Sequence, residues 1–186
     1  SDSVLGTPFY LMEYVQGHIL SSHIPDELNT GEASIRSLSE SMVDALVALH
    51  QASVVDIGLA DLDRGDGYVE RQISGWSKRY RDARTPDVPE AEVLMDWLKA
   101  NQPPDVGHAL IHGDWRFDNL VLDSQGELIG ILDWEMSTVG DPCMDLGAAL
   151  AYWVQIDDDP AFRKFRLQPT DAPGMLTRSE FVERYG

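Results

Sequence analysis

Cysteine is nearly missing from this sequence. Of 186 residues only Cys143 carries a thiol, which excludes an internal disulfide and makes a reducing, cytoplasmic setting the expectation. Lysine is almost as scarce, at three residues (Lys78, Lys99 and Lys164), and Lys and Arg together number 14 against 32 Asp and Glu, for a net charge of −18. So acidic a chain lacks the basic footprint that nucleic acid requires. No apolar run approaches the length of a membrane-spanning helix, and no stretch reads as a signal peptide. Repeats and low-complexity linkers are also missing. What remains is an ordinary apolar fraction, enough for one good core and part of a second.

The charge balance reverses locally, because Arg71, Lys78, Arg79, Arg81 and Arg84 fall within one short span. That cluster is either a solvated helix face or a basic rim for an anionic group on a substrate. The acidic remainder is compatible with a cationic substrate and equally with a surface kept soluble by charge.

Periodicity divides the chain. Phe9 to Val15 is a β-rich apolar run ended by Gly17, predicting a strand and a connector. From Ser34 to His50, apolar Ile35, Leu38, Met42, Leu46 and Leu49 recur at helical spacing, with His50 as a packed or capping histidine. Asp56 to Gly67 reads as a loop. Tyr68, Ile73, Trp76 and Tyr80 predict a second helix ending near Ala83. A third helix is expected with Pro89 in its first turn and Val93, Leu94, Trp97 and Leu98 on a buried face. Asp141-Pro142 is a helix start, an acid cap followed by proline. The helix from Cys143 to about Gln155 is apolar on most sides, as a buried helix would be. Thr177 and Glu180 predict a capping box opening a last helix that runs to Tyr185.

The chemistry concentrates between Leu110 and Glu135. An apolar strand runs into a loop holding His112, Asp114, Arg116 and Asn119. A second strand, Asn119 to Asp123, turns through Gln125-Gly126 into a third, Leu128 to Leu132. Antiparallel pairing about that turn sets residue 119 opposite residue 132, so Asn119 and Asp133 emerge as neighbours. Asp133 and Asn119 offer the hard oxygens Mg²⁺ prefers, and Glu135 is a candidate further ligand. Asp114 suits a base that orients a hydroxyl, and Arg116 a fixed cation for a transferred phosphate. His112 and Gly113 read as loop-shaping, Trp115 and Phe117 as core anchors, and Asp141 and Asp145 as braces.

The ordered set of His112-Gly113-Asp114 with Asn119, Leu132-Asp133-Trp134-Glu135, and Gly140-Asp141-Pro142 with Asp145-Leu146 resembles the aminoglycoside phosphotransferase and choline kinase family. Gly67 to Ile73, with Trp76 and Tyr80, is similar to the branch associated with acyl-CoA dehydrogenases. The resemblance implies an α+β, protein-kinase-like fold, here mainly its helical large lobe with a small β-hairpin carrying the catalytic and metal site. Residues 1–17 then correspond to the last small-lobe strand and hinge, and 18–186 to the helical catalytic lobe. Met12, Glu13 and Tyr14 stand where the hinge backbone binds adenine, Asp114 and Arg116 in the catalytic loop, and Asp133 at the metal position. ATP and Mg²⁺ are the implied cofactors, and a hydroxylated small molecule, such as a hydroxylated acyl-CoA, the implied acceptor.

No Gly-rich loop and no lysine precede the hinge, so the nucleotide lobe is expected outside this sequence, with part of the C-terminal helical region. Two further readings of the same residues stand beside the kinase. One is a pseudokinase-type binding module without turnover, and the other a metal-dependent hydrolase.

Overall fold

The computed structural model of the chain describes residues 6, 7, 9 and 11–186. The longest helical periodicity becomes α1, Glu32–Gln51, with Ile35, Leu38, Met42, Val43 and Leu46 buried along one stripe. That stripe forms the middle of the core, against Leu20, Leu28, Trp115, Phe117, Trp153, Leu176 and Phe181. A buried large apolar side chain contributes about 1.5–3 kcal/mol, so this cluster accounts for most of what holds the chain together. Ser39 shares the stripe without penalty, because its hydroxyl donates to the Arg36 carbonyl at 2.9 Å and accepts the Leu176 N–H at 3.2 Å.

Helix α2 spans Tyr68–Ala83 and α3 spans Glu92–Ala100. The three-residue strands β1 (Ala109–Ile111) and β2 (Leu120–Leu122) follow, then β3 (Leu128–Ile131) and β4 (Thr138–Gly140). Helix α4 is Pro142–Ala151, α5 the single turn Pro160–Arg163, and α6 Arg178–Tyr185. The architecture is α+β, as expected. No described helix is long and apolar enough to cross a membrane.

The strands form two nested antiparallel ribbons. β2 and β3 pair in the inner one with Leu120 opposite Ile131, and Leu132 N–H donates to the Asn119 carbonyl at 2.8 Å. The register expected for residues 119 and 132 is therefore the one observed. The outer ribbon joins β1 to β4, Leu110 opposite Val139. Thr138–Gly140 becomes a strand through this pairing with β1. Nesting the ribbons brings the loop leaving β1 alongside the loop leaving β3, and the site is built at that junction.

The cap predictions hold. Asp141 accepts the Cys143 N–H with Pro142 in the first turn, and Thr177 and Glu180 form the full capping box.

Three expectations need correction. Among the described residues of 9–15 there is no strand, and Tyr10 lies outside them. Leu11 and Tyr14 are 91% and 85% exposed, and the first ladder pairing after the segment is the isolated bridge from His18 to Leu122. A strand exists only where a ladder partner satisfies it. The third helix starts at Glu92 rather than near Pro89, and the stripe expected to be buried is not. Met95 is buried, while Val93 and Trp97 are 86% and 59% exposed and Leu94 and Leu98 also lie open. α3 packs on α2, and Leu94 and Leu98 border an open groove that they share with Ile73, Trp76 and Tyr80 of α2. Finally, α4 stops at Ala151 and buries only Asp145 and Ala149. The burial expected of its later residues falls on Trp153 and Val154, just beyond its end.

Candidate active site

The loop after β1 is held by its backbone. His112 N–H donates to Asp145 Oδ2 at 2.6 Å and Gly113 N–H to Asp145 Oδ1 at 2.7 Å. Asp145 projects from α4, wholly buried, and His50 Nε2 meets its Oδ2 at 3.2 Å. His50 Nδ1 accepts the Tyr185 hydroxyl at 2.7 Å. Burial, then the charges near Cys143, Asp145 and Asp141, push the Tyr185 phenol up to about 12, so it remains a donor. The two bracing acids expected from the sequence are thus found in that role. The packed His50 ties the last helix to the loop.

His112 is fully buried. Its Nε2–H donates to the Leu132 carbonyl at 2.8 Å, leaving Nδ1 to accept the Asp114 N–H at 3.3 Å. This histidine crosslinks the two loops, the shaping role expected of it. Gly113 sits at φ +85°, and a Cβ there would lie 2.7 Å from the Met136 carbonyl oxygen. Only glycine fits both constraints.

Asp114 is partly exposed at the mouth. Asn119 Nδ2 donates to its backbone carbonyl at 2.9 Å and to its Oδ2 at 3.1 Å. With the amide nitrogen so engaged, Asn119 keeps Oδ1 as its free acceptor. Arg116 Nε lies 3.4 Å from Asp114 Oδ1, its Nη2 pairs with Asp118, and its guanidinium stacks on Tyr152 at 5.1 Å. Asp118, unassigned from sequence, is therefore the anchor of Arg116. Two polar atoms of this knot, Arg116 Nε and Asp118 Oδ1, are buried without a hydrogen bond.

Asp133 adopts φ 61°, ψ 57°, the only described non-glycine with positive φ. Asp tolerates this left-handed conformation better than most residues, yet it costs energy and recurs at functional positions. The turn re-aims the chain into Trp134–Met136 and on to β4. Asp133, Glu135 and Met12 line one cavity of about 410 Å³, uniting a predicted adenine-contacting position with two predicted metal ligands; Glu13 and Tyr14, which follow Met12 in the chain, do not line it. Among the described residues no three His, Cys, Asp or Glu side chains converge as a closed cage. The donor set of carboxylate and amide oxygens fits Mg²⁺, which keeps several waters and binds through one or two carboxylates with phosphate oxygens.

Two more cavities adjoin the loop. One of about 320 Å³ lies against Gly113, Ile111, Met136, Tyr68 and Trp76. The other, about 460 Å³, shares Tyr68, Gln72, Arg79, Met136 and Thr138 with it and opens toward Arg64, Arg71 and Glu135. Burial and the negative charge of Asp145 raise the Tyr68 phenol, and its ring packs over Gly140, where a Cβ would lie 2.6 Å from it. Sequence reasoning missed Asp105, whose carboxylate accepts the N–H groups of Gly67, Tyr68 and Val69 at 2.5–2.9 Å and so caps α2 from a distant loop. Those bonds, Val69 first, hold its carboxyl below the usual range. It also missed Gln168, whose Oε1 accepts the Phe117 N–H at 2.7 Å. Neither residue has a local signal, since each partner lies far away in the chain.

Residues 1–177 match the APH phosphotransferase enzyme family. The chain belongs to that family. It is 39% identical over 153 residues to acyl-CoA dehydrogenase family member 11 of Gallus gallus, covering 81% of this chain and 19% of the relative. Against acyl-CoA dehydrogenase family member 10 of Mus musculus it is 34% identical over 185 residues, 98% of this chain and 17% of the relative. This phosphotransferase chain thus spans about a fifth of the length of those curated relatives. Among solved structures, a protein from Ralstonia eutropha JMP134 provisionally named an aminoglycoside phosphotransferase superposes with TM-score 0.76 at 29% identity, covering 94% of this chain and 53% of that one. An aminoglycoside-3'-phosphotransferase of type VIII shares the fold with TM-score 0.57 at 20% identity, covering 94% and 59%. The fold is the protein-kinase-like one that the sequence motifs implied.

Proposed function

We propose that this phosphotransferase chain is the catalytic lobe of an ATP- and Mg²⁺-dependent kinase that phosphorylates a hydroxyl of a small molecule. In this reading residues 1–17 are the hinge region, which takes the role of last small-lobe strand only where a small lobe supplies its ladder partner, and 18–186 are the catalytic lobe. What supports it is the backbone pairing that sets Asn119 beside Leu132 and so next to Asp133 in register, with Asn119 Nδ2 bonded to Asp114.

Phosphoryl transfer asks a protein mainly for positioning and charge compensation. Bound Mg²⁺·ATP would supply the phosphoryl group and positive charge against it. Asp133 and Asn119 Oδ1 would hold the metal, and Glu135, which borders the same cavity as Asp133, would offer a further oxygen. Asp114 accepts the proton of the acceptor hydroxyl or orients it. Arg116, held by Asp114 and Asp118, contributes a fixed positive charge. Met12, Glu13 and Tyr14 supply backbone groups to the adenine. The acyl-CoA dehydrogenase names of the relatives favour a hydroxylated acyl-CoA or a related metabolite as acceptor, handled in the cytoplasm and linked to such a dehydrogenase.

The test is ADP formation by the full-length protein with Mg²⁺·ATP across hydroxylated metabolites, wild type against Asp114→Asn. Loss of transfer with an unchanged thermal transition is the expected result. Wild-type rates in the variant would remove Asp114 from the mechanism. Nucleotide binding with no turnover of any acceptor would mark a pseudokinase instead.

A further inference from the structure

The chain has eleven arginines. Eight of them are paired with carboxylates: Arg36, Arg81, Arg84, Arg116, Arg163, Arg166, Arg178 and Arg184. Among the described residues the three without such a partner are Arg64, Arg71 and Arg79, and all three line the same 460 Å³ cavity, which borders Glu135 and Met136 after β3. In a protein with 32 acids and a net charge of −18, guanidinium groups have carboxylates within easy reach. Three left unpaired around one concavity make a local positive field where the rest of the surface is negative.

The positions follow from α2. Arg71, Gly75 and Arg79 recur at helical spacing, so they share one face. Arg71 is fastened there by its own donors, Nη1 to the Asp66 carbonyl and Nη2 to the Gly65 carbonyl at 2.9 Å, and the carboxylates of Asp63 and Asp105, which lie near enough to feel its charge, offset part of it without pairing with it. Arg79 lies over the Trp76 ring at 4.7 Å, which orients its guanidinium through a cation–π contact. Gly75 leaves the middle of the face empty, with nothing within 4 Å of a Cβ placed there. One carboxylate, Glu135, borders the cavity from the opposite loop. The other basic residues of this span are spent elsewhere, Lys78 on Asp82, Arg81 on Glu92 and Arg84 on Glu90. The basic run therefore divides into a paired outer face and an unpaired face toward the site.

We infer that this cavity is an anion-binding subsite that receives a phosphate or carboxylate group of the acceptor, with Arg64 and Arg79 as its specificity-determining residues and Arg71 as a fixed positive wall. Planar guanidinium forks suit such oxyanions bidentately. The adjoining 320 Å³ cavity, sharing Tyr68, Gln72 and Arg79, runs on to Gly113, so an acceptor anchored here reaches the catalytic loop. Calling the bound molecule an acceptor rests on the kinase reading above, whereas the anion site does not.

The experiment follows the Trp76 indole N–H resonance of the full-length protein, assigned with Trp76→Phe. Inorganic phosphate and acetate are titrated separately, with a non-hydrolysable ATP analogue and Mg²⁺ present throughout. A saturable shift is expected, and the stronger-binding anion identifies the group recognised. Arg64→Gln/Arg79→Gln should weaken binding tenfold or more. Gly75→Glu, which replaces a helix glycine and puts a carboxylate among the arginines, should do the same without loss of fold. Arg81→Gln should behave as wild type. No saturation with either anion, or equal affinity across these variants, would overturn the subsite. Calorimetric binding of Mg²⁺·ATP is measured in parallel. Loss of nucleotide binding with the Trp76 response retained overturns the kinase reading alone.

Discussion

Asp145 and Gly113 are joined by a 2.7 Å hydrogen bond from loop backbone to buried carboxylate, and the second oxygen of the same carboxylate takes the neighbouring His112 N–H at 2.6 Å. One side chain on α4 thus sets the peptide planes from which Asp114 is presented. A bidentate acceptor is required, because both partners are donors.

Asp145→Asn keeps the shape and removes one acceptor, turning an amide N–H toward a backbone N–H. A buried donor left unpaired costs about 1–3 kcal/mol. Urea denaturation should report a loss of that order. Phosphoryl-transfer rates should fall by more than stability does, since the loop holding Asp114 shifts. A variant with full activity and full stability would show that the loop does not depend on this carboxylate.

Two glycine substitutions should move stability in opposite directions. Gly113→Ala puts a side chain at φ +85° and a Cβ 2.7 Å from the Met136 carbonyl, so destabilisation by about 1–3 kcal/mol is expected. Gly147 lies inside α4 with nothing within 4 Å of its would-be Cβ. Gly147→Ala should stabilise by roughly 0.5–1 kcal/mol through helix propensity. Paired thermal melts decide both.

The parts of this fold legible in the sequence are those whose determinants are local. The turn at Gln125-Gly126 pins the inner ribbon, so the 119–132 register could be counted outward from it, and the capping box at Thr177 is written in four residues. The outer ribbon was not legible. β4 offers only Val139 as an apolar residue, and its partner β1 lies across the whole motif. Periodicity in α3 showed that Val93, Leu94, Trp97 and Leu98 share apolar character, but not what covers them. Burial is decided by neighbours, and the groove between α2 and α3 closes over Met95 while leaving Leu94 and Leu98 open. At the site, Asp114, Asn119 and Asp133 could be named from spacing and resemblance. The connection from Tyr185 through His50 to Asp145 depends on three distant segments and needed coordinates.

A pH dependence follows from Asp158. Arg178 Nη1 donates to its Oδ2 at 2.8 Å, with Nη2 on Oδ1, and the Gln155 N–H adds a third bond at 2.7 Å. The guanidinium holds this carboxyl at about 2, below its ordinary 3.8. A depressed carboxyl pKa stabilises the fold above the unfolded value, and the contribution disappears as pH falls through the folded one. Because Arg178 is about one-third exposed, solvent screening reduces the contribution to on the order of 1 kcal/mol. Asp158→Asn should cost that much near neutrality, and the gap to wild type should narrow as pH falls from 4 toward 2. A constant gap across that range in urea titrations would exclude the ionised carboxylate as its source.

Asp133 separates structure from chemistry most sharply. Its φ of 61° is paid for by the residue that occupies it, and glycine adopts this region at no steric cost. Asp133→Gly should therefore keep the turn into Trp134–Met136 and hold stability level or raise it by up to about 1 kcal/mol. The same change removes the carboxylate proposed to hold Mg²⁺, so transfer should fall by about 10²–10³, the scale set by losing one electrostatic contact to a developing charge. Asp133→Asn, also tolerant of the left-handed conformation, keeps an oxygen without its charge and should fall between the two. Stability from urea denaturation and rates across a Mg²⁺ titration in the full-length protein check both halves. If activity follows stability across the three proteins, Asp133 shapes the turn and nothing more; if activity falls while stability holds, its carboxylate serves the metal.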